Sequence, residues 1–425
     1  MSTGRVIAQV DCNAFYCSCE AVFEPRLWTM PLVVLSNNDG VVIALNTAAK
    51  ALGIKRGESF FKVSRLIKTA GLQVRSSNYA LYGDMSARVM ATLKTLSPTV
   101  EIYSIDEAFL CLSAIPEASR TEYARHICAT VRQFMGIPLS LGIAKTKTLA
   151  KAANYFAKQY PQLDGVLDLT GSAQQQEFLQ ALPVSSVWGI GPRWGQVLAD
   201  EGVDNALKLR DLSDFWVRKR LGVVGLRTVL ELRGMSCLPL EQCPRPRKSV
   251  CVSRSFGRPV QQLTELKEAV ATFTAKAATK LRREHLATGA LTVFVRSSKF
   301  KENFFSASAN CRLLTASNYT PTLLKHSLAL VDKLWRKDVK FAKAGILLTR
   351  LTDENTLQLN LFGKWDLSDD RPTKLMRAID KSNLFYQQGR LRFAAEGMQR
   401  GWQTRAQYRS NRWTTCWEEL PVVRV

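Results

Sequence analysis

The sequence predicts an α+β protein of several modules: a split-βαβ, ferredoxin-like sheet first, a small helical module next, and then a second sheet in βαββαβ order. Three observations carry that prediction. The 425 residues are too many for one ordinary core. Short β-rich segments alternate with amphipathic helical ones in two separate stretches. Between those stretches lie a Gly-Ile-Gly turn and a basic, proline-interrupted linker, Pro244-Arg-Pro-Arg-Lys248.

The first stretch opens with residues 5–11, which alternate, are rich in Val and Ile, and end on an acid, Asp11. A helical segment starts after Asn13. Residues 32–35 read as a second strand, followed by the polar turn Ser36-Asn-Asn-Asp-Gly40. Leu81, Met85, Val89 and Leu93 recur every four residues and predict a helix closed by Ser97-Pro98. In residues 100–112 two β-rich arms flank an acidic pair, which predicts a hairpin with Ile105, Asp106 and Glu107 at or near its bend. A helix over 121–135 and a strand over 139–143 complete the order of a split-βαβ sheet, with helices on one face and the other face open. Residues 146–159 form another helix. Its Leu149, Ala153 and Phe156 share one face, and Lys147, Lys151 and Lys158 form a separate stripe of the kind that is usually solvated.

A helical module is expected over 172–237. Its Val187-Trp-Gly-Ile-Gly-Pro-Arg193 segment has the turn of a helix-hairpin-helix, where Gly189 and Gly191 would open backbone N–H groups to a phosphate. Beyond the linker, strands at 250–256, 291–296, 304–313 and 344–351 and helices at 264–286 and 321–335 repeat the βαββαβ order. No sequence repeat accompanies the shared order. Arg254, Arg258, Arg296, Lys299 and Lys301 sit on or beside these strands. Such residues either line a solvated edge or face a duplex backbone. The remainder, 363–425, is less regular, with Arg and Trp scattered through it.

Charge narrows the partner. The 59 Lys and Arg against 36 Asp and Glu leave a formal +23, which favours polyanions through counterion release and makes nucleic acid the expected partner. None of the ten cysteines forms a CxxC pair, so they are expected as reduced core residues in the cytosol. His126, His285 and His326 lie far apart in helical patterns and suggest no metal cluster. No apolar run reaches the length of a membrane span, and the opening Met-Ser-Thr-Gly-Arg lacks an apolar signal segment.

Asp11 at a strand end and the Asp106-Glu107 pair at the bend of a neighbouring hairpin are suited to hold hard divalent cations. Nucleotidyl transfer needs a more acidic 3′-hydroxyl, an in-line triphosphate and neutralised charge, which two Mg2+ about 4 Å apart supply. On a straight strand adjacent acids point to opposite faces, whereas a bend lets them converge.

Four segments carry a resemblance: Asp11-Cys-Asn-Ala-Phe-Tyr-Cys-Ser-Cys-Glu20, Tyr103-Ser-Ile-Asp-Glu-Ala-Phe109, Gly142-Ile-Ala-Lys-Thr-Lys-Thr-Leu-Ala-Lys151 and Trp188-Gly-Ile-Gly191. In order and spacing the chain resembles the Y-family translesion DNA polymerases, most nearly the UmuC-like branch and its plasmid or mobile-element relatives. The resemblance implies a right-hand-like polymerase. The palm would span 1–171 with small fingers inserted at about 17–77, the helix-hairpin-helix thumb 172–237, the basic linker 238–248 and the little finger 249–353. Residues 354–425 would carry a clamp-binding peptide and a partner-binding tail.

The resemblance also implies roles. Asp11, Asp106 and Glu107 would be catalytic and, with the Cys12 carbonyl, would hold two Mg2+. Tyr16 would be the steric gate against a ribose 2′-hydroxyl. Asn13, Phe15, Lys50 and Lys158 would join Tyr16 in binding the nucleotide, and Gln358, Leu359, Leu361 and Phe362 would bind a sliding clamp. The implied function is error-prone, DNA-directed DNA synthesis across lesions in the SOS response. The implied partners are primer-template DNA, deoxynucleoside triphosphates, a processed UmuD-like dimer, a RecA filament and the clamp, at a cytoplasmic, nucleoid-associated location without membrane contact. Two rival classes share the acids: a palm-type nucleotide cyclase, which needs no duplex-tracking modules, and a noncatalytic DNA-binding scaffold, which needs no intact acid set.

Overall fold

The computed structural model describes residues 5–243, 246–300, 303–356, 371–386, 390–420 and 422. The chain divides into two units: Met1–Ser36, Gly40–Pro244 and Gln407–Val425 make the first, and Asn37–Asp39 with Arg245–Ala406 the second. The first unit opens with β1 (Ile7–Cys12), α1 (Phe15–Phe23), β2 (Leu32–Leu35), β3 (Val42–Leu45), α2 (Thr47–Ala51), α3 (Phe60–Val63), α4 (Leu66–Thr69) and β4 (Gln73–Ser76). It continues with α5 (Tyr79–Leu96), β5 (Val100–Ile102), β6 (Glu107–Cys111), α6 (Glu117–Met135), β7 (Leu139–Ala144), α7 (Lys147–Gln159) and β8 (Val166–Asp168). Four more helices follow: α8 (Ser172–Ala181), α9 (Pro192–Asp200), α10 (Ala206–Asp211) and α11 (Asp214–Leu232).

Alternation along β1 sets the layers. Ala8, Val10 and Cys12 join one core with Leu81, Val89 and Leu93 of α5 and Ile127 and Val131 of α6. Gln9 turns to the opposite face and bonds Asn154 of α7. The strand is central in a five-stranded sheet ordered β5-β6-β1-β7-β8, antiparallel except for the parallel β7–β8 pair. The face expected to be open is therefore partly covered, because α7 crosses it over β7 and β1. Gly142 permits this close approach: a Cβ there would overlap the carbonyl of Ala150 and the amide of Asn154. Gly142→Ala is accordingly expected to lower the unfolding free energy by about 1–3 kcal/mol, measured by urea denaturation.

The insertion between β1 and α5 builds its own small sheet, β3-β2-β4, around Val33, Leu35, Val42 and Val74. After β8, the helical module shares a core with α7: Leu149 and Phe156 pack with Leu179, Leu198 and Val229. Buried Glu231 of α11 accepts bonds from the amides of Thr148, Cys237 and Leu238, which satisfies its charge.

The second unit contains β9 (Val250–Val260), α12 (Leu263–Arg283), β10 (Leu286–Ser297), β11 (Ser306–Ser317), α13 (Thr320–Leu334), β12 (Phe341–Asp353) and α14 (Arg371–Phe385). Its antiparallel sheet runs β11-β10-β12-β9, with Val293, Val295 and Ile346 packed beneath α12 and α13. His285 lies just after α12 in a left-handed conformation and meets Glu354 at 2.8 Å, a departure from its expected helical place. The C-terminal stretch also has structure here. Asp380 of α14 pairs with Arg282 through its Nε and Nη2, at 2.6 and 2.9 Å, and Trp402 is buried in the core beside Phe256 and Phe273. The chain belongs to the first unit again from Gln407. Gln358, Leu359, Leu361 and Phe362 lie outside the described residues. No described helix is long and apolar enough to cross a membrane. Cys243 and Cys251 are exposed, unlike the core cysteines the sequence suggested; Cys12, Cys17 and Cys19 are buried.

Candidate active site

The register of β1 decides where the acids point. Asp11 stands opposite Glu107 in the antiparallel β1–β6 pair, so both side chains leave the same face of the sheet. Asp106 is the last residue of the bend before β6, and its carbonyl accepts the Cys12 amide at 2.8 Å. That bond ties the end of β1 to the acidic bend. The bend closes as the amides of Tyr103 and Ser104 donate to the Glu107 carbonyl, both at 3.1 Å. Ser104 then organises it further: its hydroxyl donates to Asp106 Oδ1 at 2.6 Å and accepts the amides of Asp106 and Glu107 at 3.3 and 3.1 Å. The sequence reading did not single out Ser104. For the activity the resemblance implies, Ser104→Ala is expected to lower the single-turnover rate of nucleotide addition by about tenfold, with nucleotide affinity little changed, because the three hydrogen bonds of its hydroxyl that fix Asp106 and the bend are lost.

The lysines of α7 answer the acids. Spacings of four and seven residues set Lys147, Lys151 and Lys158 along one stripe. Far from being solvated, that stripe faces the sheet. Lys147 is buried with its Nζ 2.5 Å from Glu101, Lys151 lies 2.9 Å from both oxygens of Glu107, and Lys158 lies 2.5 Å from Asp11 Oδ1. Lys151 also sits 4.9 and 5.3 Å from the ring centroids of Tyr103 and Trp188, inside an aromatic corner that holds its ammonium against Glu107.

An open cleft of about 690 Å3 borders this cluster. Asp11, Cys12 and Asp106 lie on one side, and Lys50, Lys55, Arg56 and Lys158 supply four positive charges around it. Ala14 adopts a left-handed conformation at the start of α1, and the next two residues, Phe15 and Tyr16, line the cleft. Tyr16 stacks on buried Tyr82, with centroids 4.5 Å apart and planes 16° apart, and meets Tyr79 edge-on at 6.1 Å. Burial pushes Asp11 up to about 6; Lys158 opposes that shift, while Glu107 and Asp106 add to it. Such a carboxylate gains from a nearby cation. Three carboxylates and a strand-end carbonyl are hard oxygen donors suited to Mg2+, and the ammoniums of Lys158 and Lys151 mark where two of those carboxylates meet positive charge. Among the described residues, no three Asp, Glu, His or Cys side chains already converge as a metal cage.

Comparison with known proteins decides the family. Residues 10–155 match the impB/mucB/samB family and residues 247–361 its C-terminal domain. The chain is 41% identical to the protein UmuC of Salmonella typhimurium strain LT2, over 99% of this chain and the whole of that one. It belongs to the UmuC-like Y-family DNA polymerases. Protein ImpB of Salmonella typhimurium is 38% identical over 99% of this chain and all of its own, and a DNA polymerase IV of Desulfatibacillum aliphaticivorans is 28% identical over 89% and 93%. A chimeric Y-family DNA polymerase built from Dbh and Dpo4 superimposes with a TM-score of 0.65 at 22% identity, over 81% of this chain and 98% of that one, which shows the shared fold. Residues 373–423 match a domain of unknown function, DUF4113.

In this UmuC-like DNA-directed DNA polymerase, Asp11, Cys12, Asp106, Phe15, Tyr16, Lys50 and Lys158 all border one cleft. Glu107 does not line it and is held by Lys151 instead. Asn13 lies off the cleft wall, where its Oδ1 accepts the Ser140 hydroxyl at 3.0 Å. Lys55 and Arg56, on the wall, were missed because a Lys-Arg pair beside a glycine carries no pattern of its own. Gly189 needs its left-handed backbone, with φ of 93°, whereas Gly191 has an ordinary φ of −85°. Neighbouring Trp188 packs on Tyr103 and Phe109 of the acidic hairpin, at 5.6 and 6.0 Å.

The three arginines separate. Arg296 and its register partner Lys343 lie on the sheet face that α12 and α13 leave open. Arg254 pairs with buried Ala344 on the covered face, close enough to Lys276 of α12 to help burial lower that lysine's pKa. Arg258 is bonded to both carboxylate oxygens of Glu265. A single open face carrying all three is therefore not what forms.

Proposed function

We propose that this polymerase carries out error-prone, template-directed DNA synthesis across damaged bases, by two-metal nucleotidyl transfer in the cleft bordered by Asp11 and Asp106. The observation that carries the reading is the Asp11–Glu107 register pair, with Asp106 adjoining and the Cys12 amide bonded to its carbonyl, beside a wall bearing Lys50, Lys55, Arg56 and Lys158. Asp11 and Asp106 would bind both ions, Glu107 would assist at the catalytic one, and the Cys12 carbonyl would serve the nucleotide side. The two ions supply a more acidic 3′-hydroxyl and neutralise charge on the triphosphate.

The chain's own groups do the rest. Lys50 and Lys158 attract the triphosphate as point charges, and Lys55 and Arg56 extend that positive wall. Lys158, paired with Asp11 in this structure, is placed to turn to a phosphate, which would leave the Asp11 carboxylate to hold a cation. Tyr16, braced by Tyr82, would crowd a ribose 2′-hydroxyl. Residues 1–171 are taken as palm with fingers at about 17–77, 172–237 as thumb, 249–353 as little finger, and 354–425 as a segment that includes the clamp-binding peptide.

Relatedness to UmuC along the whole chain supports a role in the SOS response with a processed UmuD-like dimer, a RecA filament and a sliding clamp, on DNA in the cytoplasm. The test is primer extension past an abasic site by the full chain with Mg2+, with and without those partners. Insertion opposite the lesion is expected, and none by the Asp106→Ala protein. Extension that persists in Asp106→Ala would overturn the assignment.

A further inference from the structure

The C-terminal segment that rejoins the first unit reaches the back of the Tyr16 stack. Tyr82, on which Tyr16 lies, donates its hydroxyl to Glu20 Oε1 at 2.6 Å, and the Ser410 hydroxyl donates to that same oxygen at 3.0 Å. Glu20 and Tyr82 are both buried. The other Glu20 oxygen, Oε2, has no hydrogen bond among the described residues, and the Arg75 Nε lies 3.8 Å from it. A buried carboxylate with so few donors depends on each one.

Ser410 is itself held in place. The Asn78 side-chain amide donates to the Ser410 carbonyl, the Ser410 hydroxyl and the Asn411 carbonyl, at 3.1, 3.0 and 3.0 Å. The same Asn78 caps α5 through the Leu81 amide, and the first turn of that helix carries Tyr79 and Tyr82, two of the rings that contact Tyr16. Tyr408 exchanges bonds with Ser76 just before this point: the Ser76 amide donates to its carbonyl, and its own amide donates to the Ser76 hydroxyl, both at 3.0 Å. Trp413 stacks on Phe23 at the far end of α1, with planes 16° apart. The segment thus clasps both helices that frame Tyr16.

We propose that residues 408–413, within the stretch matching a domain of unknown function, set the sugar selectivity of nucleotide addition, with Ser410 as a positioning residue acting through Glu20 and Tyr82 on Tyr16. This rests on the reading of Tyr16 as the steric gate. Ser410 touches no substrate; it satisfies the carboxylate that fixes the Tyr82 hydroxyl, and so the plane on which Tyr16 rests. A looser Tyr82 lets Tyr16 tilt away from a ribose 2′-hydroxyl, which relieves exclusion of ribonucleotides while deoxynucleotide addition is little changed.

The test measures kcat/KM for a deoxynucleotide and its ribonucleotide counterpart on undamaged primer-template, in the full chain and its Ser410→Ala, Ser410→Thr and Tyr16→Ala variants. Primer-template binding by fluorescence anisotropy confirms that each variant is folded. Tyr16→Ala is expected to cut the deoxy-to-ribo preference by about a hundredfold. Ser410→Ala is expected to cut it by about threefold, the loss that follows one weakened hydrogen bond, with Ser410→Thr close to the parent. An unchanged preference in Ser410→Ala beside a lost one in Tyr16→Ala would overturn the role of Ser410 and leave the gate standing. An unchanged preference in Tyr16→Ala would overturn the gate and the proposal together. Equal loss of activity with both sugars in Ser410→Ala would assign Ser410 to folding alone and also overturn the proposal.

Discussion

Replacing Asp106 by Asn is expected to slow nucleotide addition by about 10^3-fold or more while primer-template binding stays within about twofold. The substitution keeps shape and keeps an oxygen that can accept the Ser104 hydroxyl, so the bend should survive. What it removes is one negative charge between Asp11 and Glu107. Two divalent cations drawn together by three carboxylates lose a third of that compensation, in a partly buried site where charge is poorly screened. Rapid-quench single-turnover kinetics across a Mg2+ titration checks this. The slow rate should not recover at high Mg2+, whereas a mere loss of affinity would recover. Thermal unfolding should be unchanged or slightly higher in the variant, since the amide that replaces the Asp106 carboxylate carries no charge to repel Asp11.

Lys158→Ala carries the second large effect, and it acts twice. First, one of four cationic side chains on the cleft wall disappears, so kcat/KM for the incoming nucleotide is expected to fall by about 10^2-fold, chiefly through KM. Second, Asp11 loses the partner that lowers its pKa. Asp11 must be ionised to hold a cation, so activity rises as pH climbs through about 6 in the parent. Because Lys158 opposes the upward shift caused by burial, its removal moves that acid limb to higher pH. A pH profile of kcat/KM for the incoming nucleotide reports the free enzyme, in which Lys158 sits on Asp11: a limb that moves to lower pH would contradict the Asp11–Lys158 pairing. The same shift bears on folding. Asp11 holds its proton in the folded chain up to about 6 and releases it near 3.8 in the unfolded one, so its contribution to stability is present below that lower value and is lost as pH rises through the higher one.

Much of the first unit was legible in the sequence because its signals are local. The Val- and Ile-rich run ending on Asp11, the two β arms around Asp106 and Glu107, and the four-residue recurrence in α5 each declare their own structure. Strand β8 was missed, since three residues, Val166 to Asp168, carry no alternation to count. The covered face of the first sheet was also missed. Its cause is one glycine, Gly142, whose close approach to α7 is a tertiary fact. The lysine stripe was visible as a stripe, but nothing in its spacing shows that Lys147, Lys151 and Lys158 each end on a different acid contributed by another strand.

In the second unit the order of elements was legible and the facing of its basic residues was not. A register shift in the β12–β9 pair, between Lys343–Ser255 and Phe341–Val260, interrupts the ladder at the end of β9, where the buried residues Val252, Phe256 and Val260 fall four apart after Val250. Arg258 falls within that irregular segment, whereas Arg254 keeps its register with Ala344 and still ends up exposed on the covered face. The C-terminal stretch offered even less, because Trp402, Ser410 and Trp413 are held by partners far away in the chain, which no local pattern records.

The most direct measurement is anomalous diffraction from crystals of the full chain with primer-template, a non-hydrolysable deoxynucleotide and Mn2+ in place of Mg2+. Two peaks about 4 Å apart are expected, bridged by Asp11 and Asp106, with Lys158 turned from Asp11 to the triphosphate. Peaks elsewhere, or a nucleotide bound in that cleft while Lys158 stays on Asp11 and no ion lies beside Asp106, would contradict the two-metal reading.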